Sequence, residues 1–330
     1  MIMKKRIYAL LMAAVMMLGV SACGGSAEPQ AVEHSAVLNM GTGDTTGSYY
    51  AFGNLLAAHM GDAAGVNVDV VSTEGSMANI KGVHEGIYQL GMAQADVMSY
   101  AWDGILSFAK DGEAKSIRAI GGLYEEALQI VTLDETIQTV EDLRGKTVSI
   151  GAENSGVAFN AMNILDIYGL RTGEDIQTVS MSFSDSVTAM KSGKVDAVFI
   201  VSGAPTQVVE DLVTTEQVHL VSIDSEKVEE LQKQFPYYNK YVILSGTYAG
   251  LDHNVTTVSI QATMIVSADM DEETVYNLTA GIYENTESVS AILARAIDMS
   301  VENATTGITV PFHAGAAKYF AEKGITVPTE

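Results

Sequence analysis

From residue 37 onward the chain alternates short apolar runs with stretches in which apolar positions recur at helical spacing. The first pattern predicts strands and the second amphipathic helices. Val37–Met40 reads as a strand, followed by a glycine-rich turn and a helix from about Ser48 to Met60. Val68–Val71 is a strand before a helix from about Ser76 to Glu85, and Leu90–Ala93 is a short strand. Ile117–Leu123 and Leu128–Thr132 read as two nearly contiguous strands. Thr147–Ile150 leads through a turn into a helix from about Gly156 to Tyr168. Ala197–Val201 ends in Ser202-Gly203-Ala204-Pro205, where another helix begins. Val258–Val266 is a long apolar strand, and the stretch from about Asp271 to Lys323 is mostly helical. Strands separated by helices indicate parallel β-α-β units, so the expected fold class is α/β.

One local arrangement occurs twice. Gly41-Thr42-Gly43-Asp44-Thr45-Thr46-Gly47-Ser48 follows a strand and opens a helix, and so does Gly151-Ala152-Glu153-Asn154-Ser155-Gly156. Glycine lets a backbone approach a ligand closely. A helix start offers free N–H groups and partial positive charge. Two such turns facing across a cleft would hold an anionic group without a basic side chain.

The N-terminus has a different pattern. Lys4, Lys5 and Arg6 precede an apolar run from Ile7 to about Val20, which ends in Val20-Ser21-Ala22-Cys23. A basic start, an apolar core and small residues at the end describe a signal peptide. The run is shorter than the roughly 20 residues a membrane-spanning helix needs. The small-small-Cys ending resembles the lipobox of bacterial lipoproteins, which implies cleavage before Cys23 and a diacylglycerol on its sulfur. Cys23 is the only cysteine in the chain, so no intramolecular disulfide forms. Gly24 to about Ser35 reads as a flexible tether.

The 330 residues, 47% apolar, suffice for two lobes of ordinary domain size. A formal charge of −23 argues against nucleic acid and anionic lipid head groups as partners. The first turn reads G-x-G-x-x-x-G, one residue longer than the dinucleotide fingerprint, and an exported protein is not expected to meet reduced nicotinamide cofactors. A single cysteine excludes a thiolate metal site, and none of the six histidines stands at ligand spacing from another. Neither a metal nor a cofactor is expected. Asn154-Ser155-Gly156 resembles the middle of a nucleophile elbow, but Glu153 stands where that motif has glycine. The acidic pair Glu125–Glu126 and the run Asp271-Glu272-Glu273 read as solvated faces or helix starts. Tyr49, Tyr50, Tyr124, Tyr237, Tyr238 and Tyr248 lie beside turns and crossings, where a flat ring with a polar tip suits closure over a small ligand.

Several ordered blocks together resemble the TAXI-type solute receptors of tripartite ATP-independent periplasmic (TRAP) transporters. They include the opening turn through Tyr49-Tyr50, Ser72 to Ile80, Leu90 to Asp96 with Gln94 and Asp96 at matching positions, and Leu123 to Glu126. Leu143 to Gly151, Gly193 to Ala197, Gly203-Ala204-Pro205-Thr206 and Phe312 to Phe320 follow in order, so the resemblance runs from about Leu38 to Thr326. The chain departs from the family at Asn154, Ala95 and Ala314, which bears on ligand identity rather than on fold.

The resemblance implies a two-lobed periplasmic-binding-protein fold of type II character, with the ligand in a cleft between α/β lobes. The expected division is a signal peptide at 1–22, lipidated Cys23 and tether at 23–35, a first lobe at 36–125, a second at 126–247, and a return with C-terminal helices at 248–330. Together with the lipobox-like leader it also implies an exported, lipid-anchored monomer on the outer face of the cytoplasmic membrane. That monomer would be a receptor rather than an enzyme, and would deliver a small organic anion, glutamate-like or dicarboxylate-like, to TRAP membrane subunits. A binding lipoprotein of an ATP-driven transporter is the alternative, and an exported hydrolase using Ser155 a further one. In this reading Thr42, Gly43, Ser76 and Gln94 supply hydrogen bonds from the first lobe, and Ser155, Gly156 and Gly203 from the second. Tyr49, Tyr50 and Tyr124 wall the ligand, and Pro205 shapes the rim.

Overall fold

A computed structural model describes residues 36–292 and 299–330, so the expected leader, Cys23 and the tether lie outside the described residues. The described chain opens with β1 (Val37–Gly41), α1 (Ser48–Ala64), β2 (Asn67–Val71), α2 (Ser76–His84) and β3 (Leu90–Gln94). β1 lies between β2 and β3 and is parallel to both, as alternating strands and helices predict. α3 (Ala95–Asp103) follows β3 directly.

The centre of the sheet differs from the expectation of parallel units. Ile117–Thr132 is one strand of 16 residues, β4, where the sequence predicts two. It runs antiparallel to the 13-residue strand β10 (Val255–Ser267). Glu125 and Glu126 interrupt the apolar run, yet both pair with β10, opposite Gln261 and Ile260. Polarity therefore signals a break in the pattern where the backbone continues.

β5 (Thr147–Ser149), α4 (Gly156–Ile167), β6 (Gln177–Val179), α5 (Phe183–Lys191) and β7 (Ala197–Ser202) repeat the parallel design. α6 (Gln207–Leu212), β8 (His219–Val221), α7 (Ser225–Gln234) and β9 (Asn239–Ile243) follow. α8 (Glu272–Tyr283), α9 (Thr286–Ile292) and α10 (Ala314–Glu322) come after β10. Strand order is β2-β1-β3-β10-β4-β7-β5-β6, with β8 on β4 and β9 on β10.

Burial divides this sheet into two lobes. One core holds Met40 to Tyr124 and then Ala262 to Phe320, with Phe52 stacked on Tyr124 at 4.1 Å between ring centroids. Two further clusters cover the second lobe on residues between Ala127 and Ile260. Tyr248, Leu251 and Val255 belong to the second lobe's packing, so the chain re-enters the first core at Ala262, later than the expected 248. Among the described residues, β4 and β10 alone carry buried core residues of both lobes. Among the described residues no helix is long and apolar enough to cross a membrane.

Candidate functional site

Between the lobes lies a cavity of about 390 Å³, within the size range of small-molecule sites. The starts of α1, α2, α4 and α5 reach its wall at Ser48, Ser76, Gly156 and Phe183. The two glycine-rich turns both contribute, through Gly43, Asp44 and Gly47 on one side and Ala152, Glu153 and Ser155 on the other.

The lobes touch across this cavity. The Ser48 N–H donates to Ser202 Oγ at 3.1 Å, and the two hydroxyls bond at 2.8 Å. Gly47, the N-cap of α1, has no side chain, so the first N–H of that helix is satisfied by a hydroxyl from the other lobe. Ser184 Oγ donates to Asp44 Oδ2 at 3.1 Å, and the Ala78 N–H donates to the Asn154 carbonyl at 3.1 Å. Gly75 has φ +114, a conformation closed to other residues, and brings the start of α2 against Ser155.

The floor is a line of hydrogen bonds. The Gln94 N–H donates to Ser76 Oγ at 3.1 Å. Ser76 Oγ lies 3.4 Å from the Tyr49 hydroxyl, which donates to Glu126 Oε2 at 2.8 Å. Glu126 is 2% exposed. Burial pushes its carboxyl well above the usual range; the Tyr49 bond lowers it in part, and Asp96 and Glu125 raise it further. Burial also pushes Asp44 up, but hydrogen bonds from Thr46 and Ser184 offset this and hold its carboxyl below the ordinary value.

The structure brings Gly43, Tyr49, Ser76, Gln94, Ser155 and Gly156 together in the cavity wall. Thr42, Tyr50, Tyr124, Gly203 and Pro205 are not among its lining residues. Thr42 is fully buried, and its hydroxyl donates to the Val71 carbonyl at 2.7 Å, tying the first turn to β2. Tyr124 points into the first core onto Phe52. The Gly203 N–H donates to Ser48 Oγ, so this residue joins lobe to lobe. The carbonyl of Tyr50 accepts from Asn54 within α1. Pro205 lies between Ala204, which packs against the second lobe's core, and the start of α6.

Ser155 lines the cavity, but its hydroxyl donates to the Ala152 carbonyl and accepts from the Ala158 N–H, so it acts as the N-cap of α4. Tyr238 and Tyr248 are core residues, bonded to Asn160 and to Gln129 respectively.

Glu126 corrects the reading of Glu125–Glu126 as a solvated face. The Ser180–Phe183 segment, Asp185 and Ser202 are also in the wall, and the sequence reading did not name them as site residues. α5 is amphipathic, burying Ser186, Ala189 and Met190, and its N-cap, Ser182, accepts from the Asp185 N–H, so both its spacing and its cap were available clues. Asp271 behaves as expected of a helix start, accepting from the Thr274 N–H. His313 caps α10, its Nδ1 accepting from the Gly315 N–H. Among the described residues no group of three His, Cys, Asp or Glu side chains could hold a metal ion.

The model of the NMT1-like family matches residues 40–324, and the chain belongs to that family. A protein from Bordetella bronchiseptica RB50 has a similar structure, with TM-score 0.52 and 17% identity over 87% of this chain and 89% of that one. An ancestral arginine-binding protein bound to arginine matches with TM-score 0.51 and 15% identity, over 80% of this chain and 100% of its own. Tv2483 bound to L-arginine matches with TM-score 0.50 and 11% identity, over 79% and 92%. At these identities the likeness concerns the fold.

Proposed function

We propose that this member of the NMT1-like family is an extracytoplasmic solute receptor that closes over a small organic acid and delivers it to the membrane subunits of a transporter. The observation that carries the reading is an interlobe cavity whose wall holds the starts of four helices and no Lys, Arg or His. A carboxylate there would be held by backbone N–H groups and helix dipoles. Hydrogen bonds to a charged ligand contribute roughly 1.5–3 kcal/mol each, so a few suffice for micromolar binding, about −8 kcal/mol. Gly43, Tyr49, Ser76, Gln94 and Gly156 are the contacts in this proposal, with Ser155 holding α4 in place.

The TAXI resemblance makes TRAP subunits the recipient, and the lipobox-like ending at Cys23 makes that residue the lipid anchor of a monomer. The same lobes would serve a permease driven by an ATPase, and affinity capture from solubilised native membranes separates the two by the subunit recovered. Catalysis is not part of the proposal, because the Ser155 hydroxyl is engaged in capping and no histidine among the described residues lines the cavity to act as its base.

The test is a thermal-shift screen on residues 24–330, refolded free of bound solute, against amino acids, dicarboxylates, hydroxy acids and sugars. A solute at 100 times its dissociation constant adds about 2.7 kcal/mol of stability. Shifts confined to a few small acids support the receptor reading. Shifts with sugars alone overturn the choice of an acid and leave a receptor, and no shift with any solute overturns the receptor.

A further inference from the structure

Backbone N–H groups explain how an acid is held, yet the deepest ionisable group of the cleft has the wrong sign for one. We propose that Glu126 recognises an ammonium group on the ligand, giving up its own carboxyl proton as that cation binds. The ligand is then an amino acid rather than a dicarboxylate. This inference rests on the reading of the cavity as a solute site.

Three observations carry it. First, among the described residues no Lys, Arg or His lines the cavity, and the charged or titratable groups acting on Glu126 are not cations. Tyr49 from α1 donates its one hydroxyl hydrogen, Asp96 at the start of α3 is a buried acid, and Glu125 is its neighbour on β4. Around the walls the other ionisable side chains are Asp44, Glu74, Glu153, Asp185 and Tyr49 itself. A carboxylate buried among acids takes up a proton, because desolvation and like charges both disfavour the ion.

Second, Gln94 Oε1 is a buried acceptor in the same wall, and no protein group donates to it; the residue is 2% exposed. The backbone N–H of the same residue connects to Glu126 through the Ser76 and Tyr49 hydroxyls. An ammonium brings three donors to these two acceptors, whereas a second carboxylate would accept only the single Glu126 proton and would face Gln94 Oε1 oxygen to oxygen.

Third, the second lobe's wall, which meets this floor where Gly156 lies against Gln94, has the complementary chemistry. Gly156 and Val157 of the first turn of α4, with Ser182 and Phe183 at the start of α5, present a helix-terminal surface suited to the ligand's carboxylate. The cavity thus has an acceptor floor and a donor wall.

The exchange balances simply. The Glu126 O–H bond breaks, its electron pair stays on the carboxylate oxygen, and the proton leaves to solvent. The incoming ammonium keeps all its hydrogens and pairs with the carboxylate. Acidification therefore opposes binding.

The experiment is titration calorimetry of residues 24–330 with matched pairs, L-glutamate against 2-oxoglutarate and L-alanine against pyruvate, in two buffers of different ionisation enthalpy. An amino acid stays protonated at nitrogen near pH 6.5, so any proton released comes from the protein. We expect at least one amino acid to bind about thirtyfold or more tighter than its oxo acid. It should release close to one proton, and its affinity should therefore fall about tenfold for each pH unit of acidification from about pH 6.5. Glu126→Gln should remove both the release and the preference. The wild-type proton count needs no variant, so a misfolded Glu126→Gln protein leaves the test intact. An oxo acid or dicarboxylate bound as tightly as its amino partner, or an amino acid bound without proton release, overturns the assignment and leaves the receptor. So does binding of neutral solutes alone. No binding by any solute in the broader screen overturns the receptor itself.

Discussion

Asp96 shows how a single residue sets a pH response. It is fully buried between the lobes, where Oδ1 accepts from the Val97 N–H at 2.8 Å and Oδ2 from Asn160 Nδ2 at 3.0 Å. Burial pushes its carboxyl up to about 6, against the partial lowering by those bonds. The native protein therefore holds this proton more tightly than the unfolded chain. Stability is greatest below the ordinary carboxylate range and falls as pH rises through 6, by about 3 kcal/mol in all. Asp96→Asn should melt higher than the wild type at pH 8 and level with it at pH 4, because Asn160 Oδ1 has no partner and can turn to the new amide. An equal gap at both pH values in thermal scans would show that desolvation of the ion is not the cause. Gly156 makes the second residue-level case. A Cβ there would stand 1.8 Å from Gln94 Oε1 and 3.1 Å from Ser76 Oγ. Gln94 is enclosed, so Gly156→Ala should hold the lobes apart. Affinity for the solute found by screening should drop on the order of tenfold or more while the ligand-free melting temperature stays near the wild type's.

At the scale of elements, the helix starts carry both stability and the site. Ser155 and Ser182 accept from the Ala158 and Asp185 N–H groups. Replacing either by alanine should cost about 1 kcal/mol in urea unfolding. The two caps sit on separate helices, so the double variant should lose close to the sum. β4 also depends on small residues. A Cβ at Gly121 would lie 2.2 Å from the Tyr283 hydroxyl, which donates to the Gly122 carbonyl at 2.8 Å. Gly121→Ala should therefore unfold at lower urea than the wild type, because Tyr283 is fixed in the first core.

For the whole molecule, closure rests on a few polar contacts. Ser48–Ser202, Asp44–Ser184 and Asn154 with Glu74 and Ala78 bridge the cleft. Each side has its own apolar core. Removing bridges should shift the population toward an open form without unfolding a lobe. The pair Asn154→Ala with Ser202→Ala should increase the ligand-free radius of gyration in small-angle scattering, and solute should reverse the increase. An unchanged radius would mean that other contacts hold the lobes together.

The sequence by itself determined the alternation of strands and helices, the two glycine-rich turns and the helix starts at Ser48, Ser76 and Gly156. These are local properties, written in the spacing of apolar residues and in residues that only turns and caps favour. Tertiary structure decided what those local signals cannot carry. Glu126 is polar in sequence and looks solvated, but β4 continues through it and burial turns it into the floor of the cavity. Thr42, Tyr124 and Gly203 stand beside the right turns, yet their side chains or N–H groups are taken up by β2, by Phe52 and by Ser48. The strands β6 and β8 are too short to show a period, and Ser202 is placed by the pairing of β7 with β4, opposite Ala127, rather than by its chain neighbours. Which residues meet at a cleft depends on contacts between distant parts of the chain, such as Ser48 with Ser202, and no local pattern encodes that meeting.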